Sequence, residues 1–439
     1  MIIRRAKTIR GQMLMPGDKS ISHRAALFAA LADGTSSIKN FSSSRDCAAT
    51  LSCLEALGVT IERKDNDVLV KSAGVDGLRE PQAPLDCGNS GTTMRLLAGI
   101  LAGQDFSSIL TGDDSLRSRP MERIIEPLRM MGASISADDG RAPLVIHGHR
   151  GLDPISYELL LASAQVKSCI LLAGLSAEGR TEVIENQITR DHTERMLRGF
   201  GVQVETGKAE REGENARFAA VHGPARLTAA QVSIPGDISS AAYFIAAAAL
   251  LPGSSLVIRD VGLNPTRAIF LKQLRELGLN VEITGSGDDN NEPVGEIRVQ
   301  GSAQQPGKSD SPMIIRGLIV PQLIDELPLL AVVGSQVAGG IEIRDAAELR
   351  VKESDRIATT ALNLRAMGAD ITEFDDGLHV AGPARLHGTK IDPRGDHRIA
   401  MAFTVAGLIA EGETEITDHD CVGVSFPEFF ELLESVVER

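Results

Sequence analysis

Two carboxylate positions and a set of cations at helix starts are the residues best suited to chemistry. Asp325 and Glu326 interrupt an otherwise apolar stretch, LIVPQLIDELPLLAVV. The plain role for Asp325 is a helix cap; the sharper one is a base in an apolar cleft. Glu353 follows Lys352 and stands three residues before Arg356, the spacing of a helix-start acid. Lys19 and Arg24 open one helix, and Arg95 follows the turn at Asn89. Arg117 and Arg119 precede Pro120, an expected first helical residue. Lys167 follows Ser163 and Gln165, Arg190 precedes Asp191, and Arg394 and Arg398 flank Gly395 and Asp396. Cations at a helix N-terminus oppose the macrodipole. Their recurrence implies a purpose, and a substrate with several anionic groups supplies one. Arg forks match carboxylate and phosphate, while Lys acts as a point charge. Asp18, Asp237 and Ser239 read as ordinary caps. Arg45, Arg195, Arg267 and the arginines of the Leu-Arg-x-x-Gly phrases read as solvated or salt-bridged.

The elements that must position these groups come from a repeat. A polar helix start, a run of small apolar residues and a closing Gly recur six times, ending at Gly34, Gly103, Gly179, Gly253, Gly340 and Gly412. These glycines lie 69, 76, 74, 87 and 72 residues apart, a period that indicates repeated supersecondary units. A second phrase, Leu-x-x-apolar-Gly, interleaves at Gly58, Gly132, Gly201, Gly278 and Gly368, with a worn copy from Leu432. Each copy predicts a helix end, a C′ Gly and a strand. The chain therefore reads as six α/β units in two groups of three, breaking between Leu227 and Ile234. A length of 439 residues exceeds one comfortable core of about 250–300 residues. The polar stretch from Gly285 to Pro312 reads as a hairpin with long loops. Helix starts are anion sites, so repeated heads could converge on one charged substrate.

Composition narrows the function. The net charge is −14, Trp is absent and aromatics are 3%, whereas nucleic-acid binding wants a basic face and stacking rings. The longest apolar run, Ala241 to Leu251, falls short of the roughly 20 residues a bilayer needs. The N-terminus alternates without an apolar h-region and is not a signal peptide. Five scattered cysteines without a CxxC suit a reduced cytoplasmic protein. Three motif resemblances fail. The loop from Gly301 to Ser309 has one residue too many for a Walker A motif. His147 with His149, and Asp418 to Cys421, lack a further partner at metal-ligand spacing. Gly285 and Gly287 lack a dinucleotide-fold context.

Seven ordered motifs resemble the 3-phosphoshikimate 1-carboxyvinyltransferase family over essentially the full length. They are PGDKSISHR (Pro16 to Arg24), GNSGTTMR (Gly88 to Arg95), SLRSRPM (Ser115 to Met121), SAQVKS (Ser163 to Ser168), TRDHTE (Thr189 to Glu194), ELRVKESDR (Glu348 to Arg356) and GDHRIAMAF (Gly395 to Phe403). The resemblance implies an α/β, two-domain inside-out barrel. Each domain has three βαβαββ units, residues 21–230 forming one and 1–20 with 231–439 the other. The active site would lie in the interdomain cleft. The implied reaction transfers the carboxyvinyl group of phosphoenolpyruvate to the 5-hydroxyl of shikimate 3-phosphate by addition and elimination, releasing phosphate, on the shikimate pathway to chorismate and aromatic amino acids.

By motif position, Asp325 would be the base and Glu353 the acid, with Lys19 a competing acid. Lys19, Ser20, Arg24, Ser163, Gln165, Arg190, Asp325 and Lys352 would hold shikimate 3-phosphate. Lys19, Asn89, Gly91, Arg119, Gln165, Glu353, Arg356 and Arg398 would hold phosphoenolpyruvate. No metal or organic cofactor is implied, and the partners are small-molecule substrates alone, with the chain a cytoplasmic monomer. Glyphosate is expected at the phosphoenolpyruvate site, beside Gly91. Two departures stand out: Asp420 where some members have a Lys, and Ala164 where some have a second Ser. The alternatives are the sister transferase acting on UDP-N-acetylglucosamine and a non-catalytic phosphosugar-binding repeat protein.

Overall fold

The computed structural model describes residues 1–149, 151–209, 216–289, 291–302 and 311–439. It forms two compact units: Gly17–Ile234 with Asp289–Glu292, and Met1–Pro16 with Pro235–Asp288 and Pro293–Arg439. The sequence placed the crossings at 20/21 and 230/231; packing changes hands at 16/17 and 234/235. Each unit holds three sheets and its own apolar core.

The six phrases form six helices: Lys19–Leu31 (α1), Gly91–Leu101 (α2), Ala164–Gly174 (α3), Ile238–Leu250 (α4), Leu327–Gly334 (α5) and His397–Ile409 (α6). All are apolar nearly all round and buried accordingly. That is how a helix inside a unit must look, with sheets outside it. In the repeat around α2, Leu85–Asp86 lies parallel to Ser108–Thr111, which pairs antiparallel with Arg141–His147, followed by Ser134–Asp138. α2 links the parallel pair, as parallel strands require.

Repeats borrow strands at the chain's crossing points. The parallel partner of Ala32–Lys39 comes from Leu227–Thr228 and Gln231–Ser233. Ile2–Arg4 pairs with Glu413–Ile416 in the sixth repeat. The worn phrase at Leu432 ends in Val437–Glu438, which pairs with Thr8 and Ile9.

The interleaved glycines hold left-handed backbone at the helix ends, with φ of 89°, 91°, 85°, 84° and 94° at Gly58, Gly132, Gly201, Gly278 and Gly368. A residue with a Cβ is strained there. Four of these phrases show a feature the sequence did not suggest. Arg129, Arg198, Arg275 and Arg365 donate to the carbonyls of Ile135, Val204, Val281 and Ile371, six residues ahead. They clasp each helix end to its strand while staying exposed as expected, and Arg129 also reaches Glu122 at 3.3 Å. Gly99 serves packing: a Cβ there would meet the Cys169 carbonyl oxygen at 2.3 Å, so α2 and α3 approach backbone to backbone.

The polar stretch after Gly285 resolves into strands Asn280–Asp289 and Glu292–Gln300. Its long loop and most of the Walker-like segment lie outside the described residues. Pro120 lies before the helix Glu122–Met130 and its cap Met121, not at the first helical position.

Candidate active site

In the unit spanning Gly17–Ile234, Lys19, Ser20, Asn89, Gly91, Ser163 and Gln165 sit at or beside the first turns of α1, α2 and α3. Arg24 lies one turn further along α1, Arg119 ends the short helix Asp114–Ser118, and Arg190 precedes the helix His192–Gly199. Side chains cap α1, α2 and α3: Asp18 accepts from Ile21 N, Ser90 from Thr93 N and Ser163 from Val166 N. With the caps handled locally, neighbouring polar groups are left for other work. Lys19 Nζ lies 2.9 Å from Asp46 Oδ2. Arg24 is buried and donates to Thr193 Oγ1, the Ser20 carbonyl and Ser168 Oγ at 2.7–2.9 Å. Burial pushes its pKa down to about 10, with Glu194 resisting and Arg190 assisting. Arg119 Nη2 donates to Asn89 Oδ1 at 2.6 Å, and Asn89 Nδ2 to Asp113 Oδ2 at 2.8 Å. Gln165 accepts from Arg95 Nη1 and donates to Thr92 Oγ1. A Cβ on Gly91 would lie 3.0 Å from Arg95 Nη1 and 3.5 Å from Arg119 Nη1. Arg190 follows Thr189, whose hydroxyl and N–H both bind Glu185 Oε2.

Lys167 departs from the sequence reading. Its ammonium is sealed in the core, 3.1 Å from Glu185 and 2.7 Å from Glu194. Burial opposes its charge, but the two carboxylates more than offset this and raise its pKa. It is a structural ion, not a substrate cation. Its apparent place in the SAQVKS motif reflects helical phase: two residues after Gln165, it faces inward.

In the other unit the candidates gather around Arg356. This guanidinium is 1% exposed. Nε lies 2.8 Å from Asp396 Oδ2, Nη2 2.7 Å from Glu353 Oε2 and Nη1 3.3 Å from Asp325 Oδ1. Burial opposes its charge, and Asp396, Glu353 and Asp325 together hold its pKa above the ordinary value. Arg398 Nη2 stands 3.9 Å from Asp325 Oδ2. Its charge too is held firm, against burial, by Tyr243, Asp325 and Glu326. Lys352 lies 3.3 Å from Glu348. Desolvation lowers its pKa, although the side chain keeps 27% of its surface.

The capping role expected as the default for Asp325 is not its role. α5 has no side-chain cap, and Asp325 lies before its cap position, leaving the carboxylate to the arginines. Glu353 also lies outside the helix it was expected to open, which begins at Arg356 and is capped by Asp355. Asp396 does two jobs: Oδ1 caps α6 at Arg398 N, and Oδ2 holds Arg356. Arg394 is exposed with φ of 52° and takes no part in the cluster. Asp420 points outward, beside His419.

The sequence does not single out Asp46, and Arg267 reads there as an ordinary salt-bridged residue. Glu326 and Asp396 are noticed beside Asp325 and Arg398, but not as partners of Arg267 and Arg356. Arg267 is salt-bridged as expected, but inside the cluster, to Asp325 and Glu326.

Buried cations on one unit, and carboxylates locked to arginines on the other, define a protein that handles small molecules rich in phosphate and carboxylate and moves protons on them. The match to known proteins is full-length. A family model described as EPSP synthase (3-phosphoshikimate 1-carboxyvinyltransferase) covers residues 3–433. Proteins named 3-phosphoshikimate 1-carboxyvinyltransferase from Koribacter versatilis and Geobacter sp. are 50% and 48% identical, each over 99% of this chain and 98% of theirs. The EPSP synthase structure from Acinetobacter baumannii superposes with a TM-score of 0.85 at 41% identity, over 99% of this chain and 97% of that one. The chain belongs to the EPSP synthase family.

Proposed function

We infer that the two clusters divide one reaction between them, and that both act on the same pair of substrates. The family's reaction is the chain's own: transfer of the carboxyvinyl group of phosphoenolpyruvate to the 5-hydroxyl of shikimate 3-phosphate, with loss of phosphate. In the addition step the 5-hydroxyl oxygen bonds to C2 of phosphoenolpyruvate and gives up its proton, while C3 gains one. In the elimination step C3 returns a proton, the C2–O bond to phosphate breaks and the enol ether forms.

Asp325 is assigned the hydroxyl proton and Glu353 the C3 proton, with Lys19 the competing acid. The observation that carries this is the grip of one buried guanidinium, Arg356, on both carboxylates at 3.3 and 2.7 Å. It fixes acid and base relative to each other before substrate arrives. Each such proton transfer contributes on the order of 10²–10⁴-fold.

Lys19, Arg119, Arg356 and Arg398 are assigned the phosphate and carboxylate of phosphoenolpyruvate, beside Asn89, Gly91 and Gln165. Ser20, Arg24, Ser163, Gln165, Arg190 and Lys352 are assigned shikimate 3-phosphate. Arg24 supports this because its protein partners are hydroxyls and a carbonyl, so its positive charge stays available to an anion. We propose further that the protein is a cytoplasmic monomer; all five cysteines are buried free thiols, as a reducing compartment favours. No single helix among the described residues is long and apolar enough to cross a membrane.

Phosphate release measured with each substrate alone and with both tests the assignment. Release is expected only with shikimate 3-phosphate and phosphoenolpyruvate together. Release with UDP-N-acetylglucosamine in place of shikimate 3-phosphate would overturn it.

A further inference from the structure

The head of α4 is assigned no substrate, yet it is wired to the carboxylate assigned as base. Asp237 caps α4 through Ser239 N. The Ser239 hydroxyl donates to Glu326 Oε1 and accepts from Arg267 Nη2. Arg267 Nη2 also lies 3.4 Å from Glu326 Oε1, and its Nη1 lies 3.8 Å from Asp325 Oδ2. Ser239, Arg267 and Glu326 are each no more than 3% exposed. Ser239 comes from α4, Arg267 from the turn after the strand Ser255–Gly262, and Glu326 from the start of α5. Three separate elements thus meet behind Asp325.

Asp325 lies before the cap position of α5. Arg356 takes Oδ1, while Oδ2 faces Arg267 and Arg398 at 3.8 and 3.9 Å. Arg356 and Arg398 are assigned to substrate anions and must share their charge when substrate binds. Arg267 is the cation of the three that no substrate claims. Its charge faces Glu326, whose Oε2 is buried without a hydrogen-bond partner.

We propose that Arg267, clamped by Ser239 and balanced by Glu326, is a positioning residue that holds Asp325 in its proton-accepting orientation. This rests on the assignment of Asp325 as base. Arg267 restrains Oδ2 through ordering of substrate, and Glu326 keeps Arg267 from over-stabilising the ionised carboxylate. The charged groups around Asp325 are Arg267, Arg356, Arg398 and Lys352 against Glu326, Glu353 and Asp396.

The two partners should therefore act with opposite sign. Removing a cation raises a neighbouring carboxylate's pKa, and removing an anion lowers it. Arg267→Met should move the acidic limb of the kcat–pH profile to higher pH and lower kcat about 10- to 100-fold, an effect on the proton-transfer step alone. Both KM values should stay within about threefold, the signature of an interaction made only in the transition state. Glu326→Gln should move the same limb to lower pH. Arg267→Lys should restore the limb but not the full kcat, because a point charge cannot make the fork.

Asp325→Asn is measured alongside. Full kcat in Asp325→Asn would overturn the base assignment itself. Loss in Asp325→Asn with unshifted limbs and unchanged kcat in Arg267→Met and Glu326→Gln would overturn this inference alone. Shifts of the same sign in the two variants, or KM rising in step with the loss of kcat, would also overturn it. If Arg267→Met does not fold, Arg267→Lys and Glu326→Gln decide by the same criteria.

Discussion

Arg24 and Arg356 are both buried arginines near a helix start, and they are held in opposite ways. Arg24 faces two hydroxyls and a carbonyl, and burial pushes its pKa down to about 10. Arg356 faces three carboxylates, and its charge is reinforced. A cation solvated by neutral dipoles keeps its appetite for an anion. A cation surrounded by carboxylates instead organises those carboxylates. The first suits a group whose work is ligand binding alone; the second, which is also assigned to phosphoenolpyruvate, suits a proton-transfer scaffold. Lys167 shows that partner chemistry, not location, makes the difference. It lies in the same unit as Arg24 but is satisfied by two glutamates, and its role is structural.

Breaking the contrast at its strongest point means removing a proton-transfer group. Glu353→Gln should lower kcat by about 10²–10⁴-fold with KM nearly unchanged. Steady-state kinetics check this, and a rise in KM alone would leave Glu353 only its expected part in holding phosphoenolpyruvate. Lys167→Met should destabilise the fold by about 3–5 kcal/mol, since it strands two buried carboxylates. Denaturant unfolding reads that cost; a change under about 1 kcal/mol would contradict a structural role for Lys167. Gly91→Ala should raise KM for phosphoenolpyruvate and weaken glyphosate inhibition, because the methyl would press on Arg95 and Arg119. An unchanged inhibition constant would remove Gly91 from that site.

The smallest expected effect concerns His23. It is buried in a hydrogen-bonded row with Thr50, Thr93 and Ser90 that ties α1 to the cap of α2. Burial, with Lys19 and Arg24 adding to it, holds its pKa well below the ordinary value. The folded state therefore keeps His23 neutral where the unfolded chain takes up a proton. Below about pH 6.5 that uptake erodes stability by up to about 1.4 kcal/mol per pH unit. His23→Gln should flatten the slope of unfolding free energy between pH 6.5 and 5 by that amount; an unaltered slope would show that His23 titrates freely in the folded state.

The repeat was legible because local physics wrote it. Left-handed glycines, apolar helix bodies and alternating strands each leave a pattern within about 15 residues. The candidates at side-chain-capped helix starts, Lys19, Asn89, Gly91, Ser163 and Gln165, stood out for the same reason, whereas Asp325, Glu353, Arg119 and Arg190 lie away from such caps. What escaped depended on contacts between distant segments. Lys167 and Gln165 are two residues apart, and no local pattern says that one turns inward to Glu185 and Glu194. Arg267 looks like any loop arginine until α4 and α5 close over it. The borrowed strands at Ile2–Arg4 and Leu227–Ser233 likewise require the fold, since their partners lie far along the chain.

The division between binding cations and carboxylate-holding cations is tested most directly by calorimetric titration of shikimate 3-phosphate into Arg190→Gln and Asp325→Asn, compared with their turnover. The account predicts that Arg190→Gln weakens binding about 10- to 100-fold, the loss of a charge-assisted contact. It predicts that Asp325→Asn, whose amide oxygen can still accept from the 5-hydroxyl but is no base, binds within about threefold of the unsubstituted protein while kcat collapses. Binding lost in Asp325→Asn in proportion to its turnover, with Arg190→Gln binding normally, would contradict it.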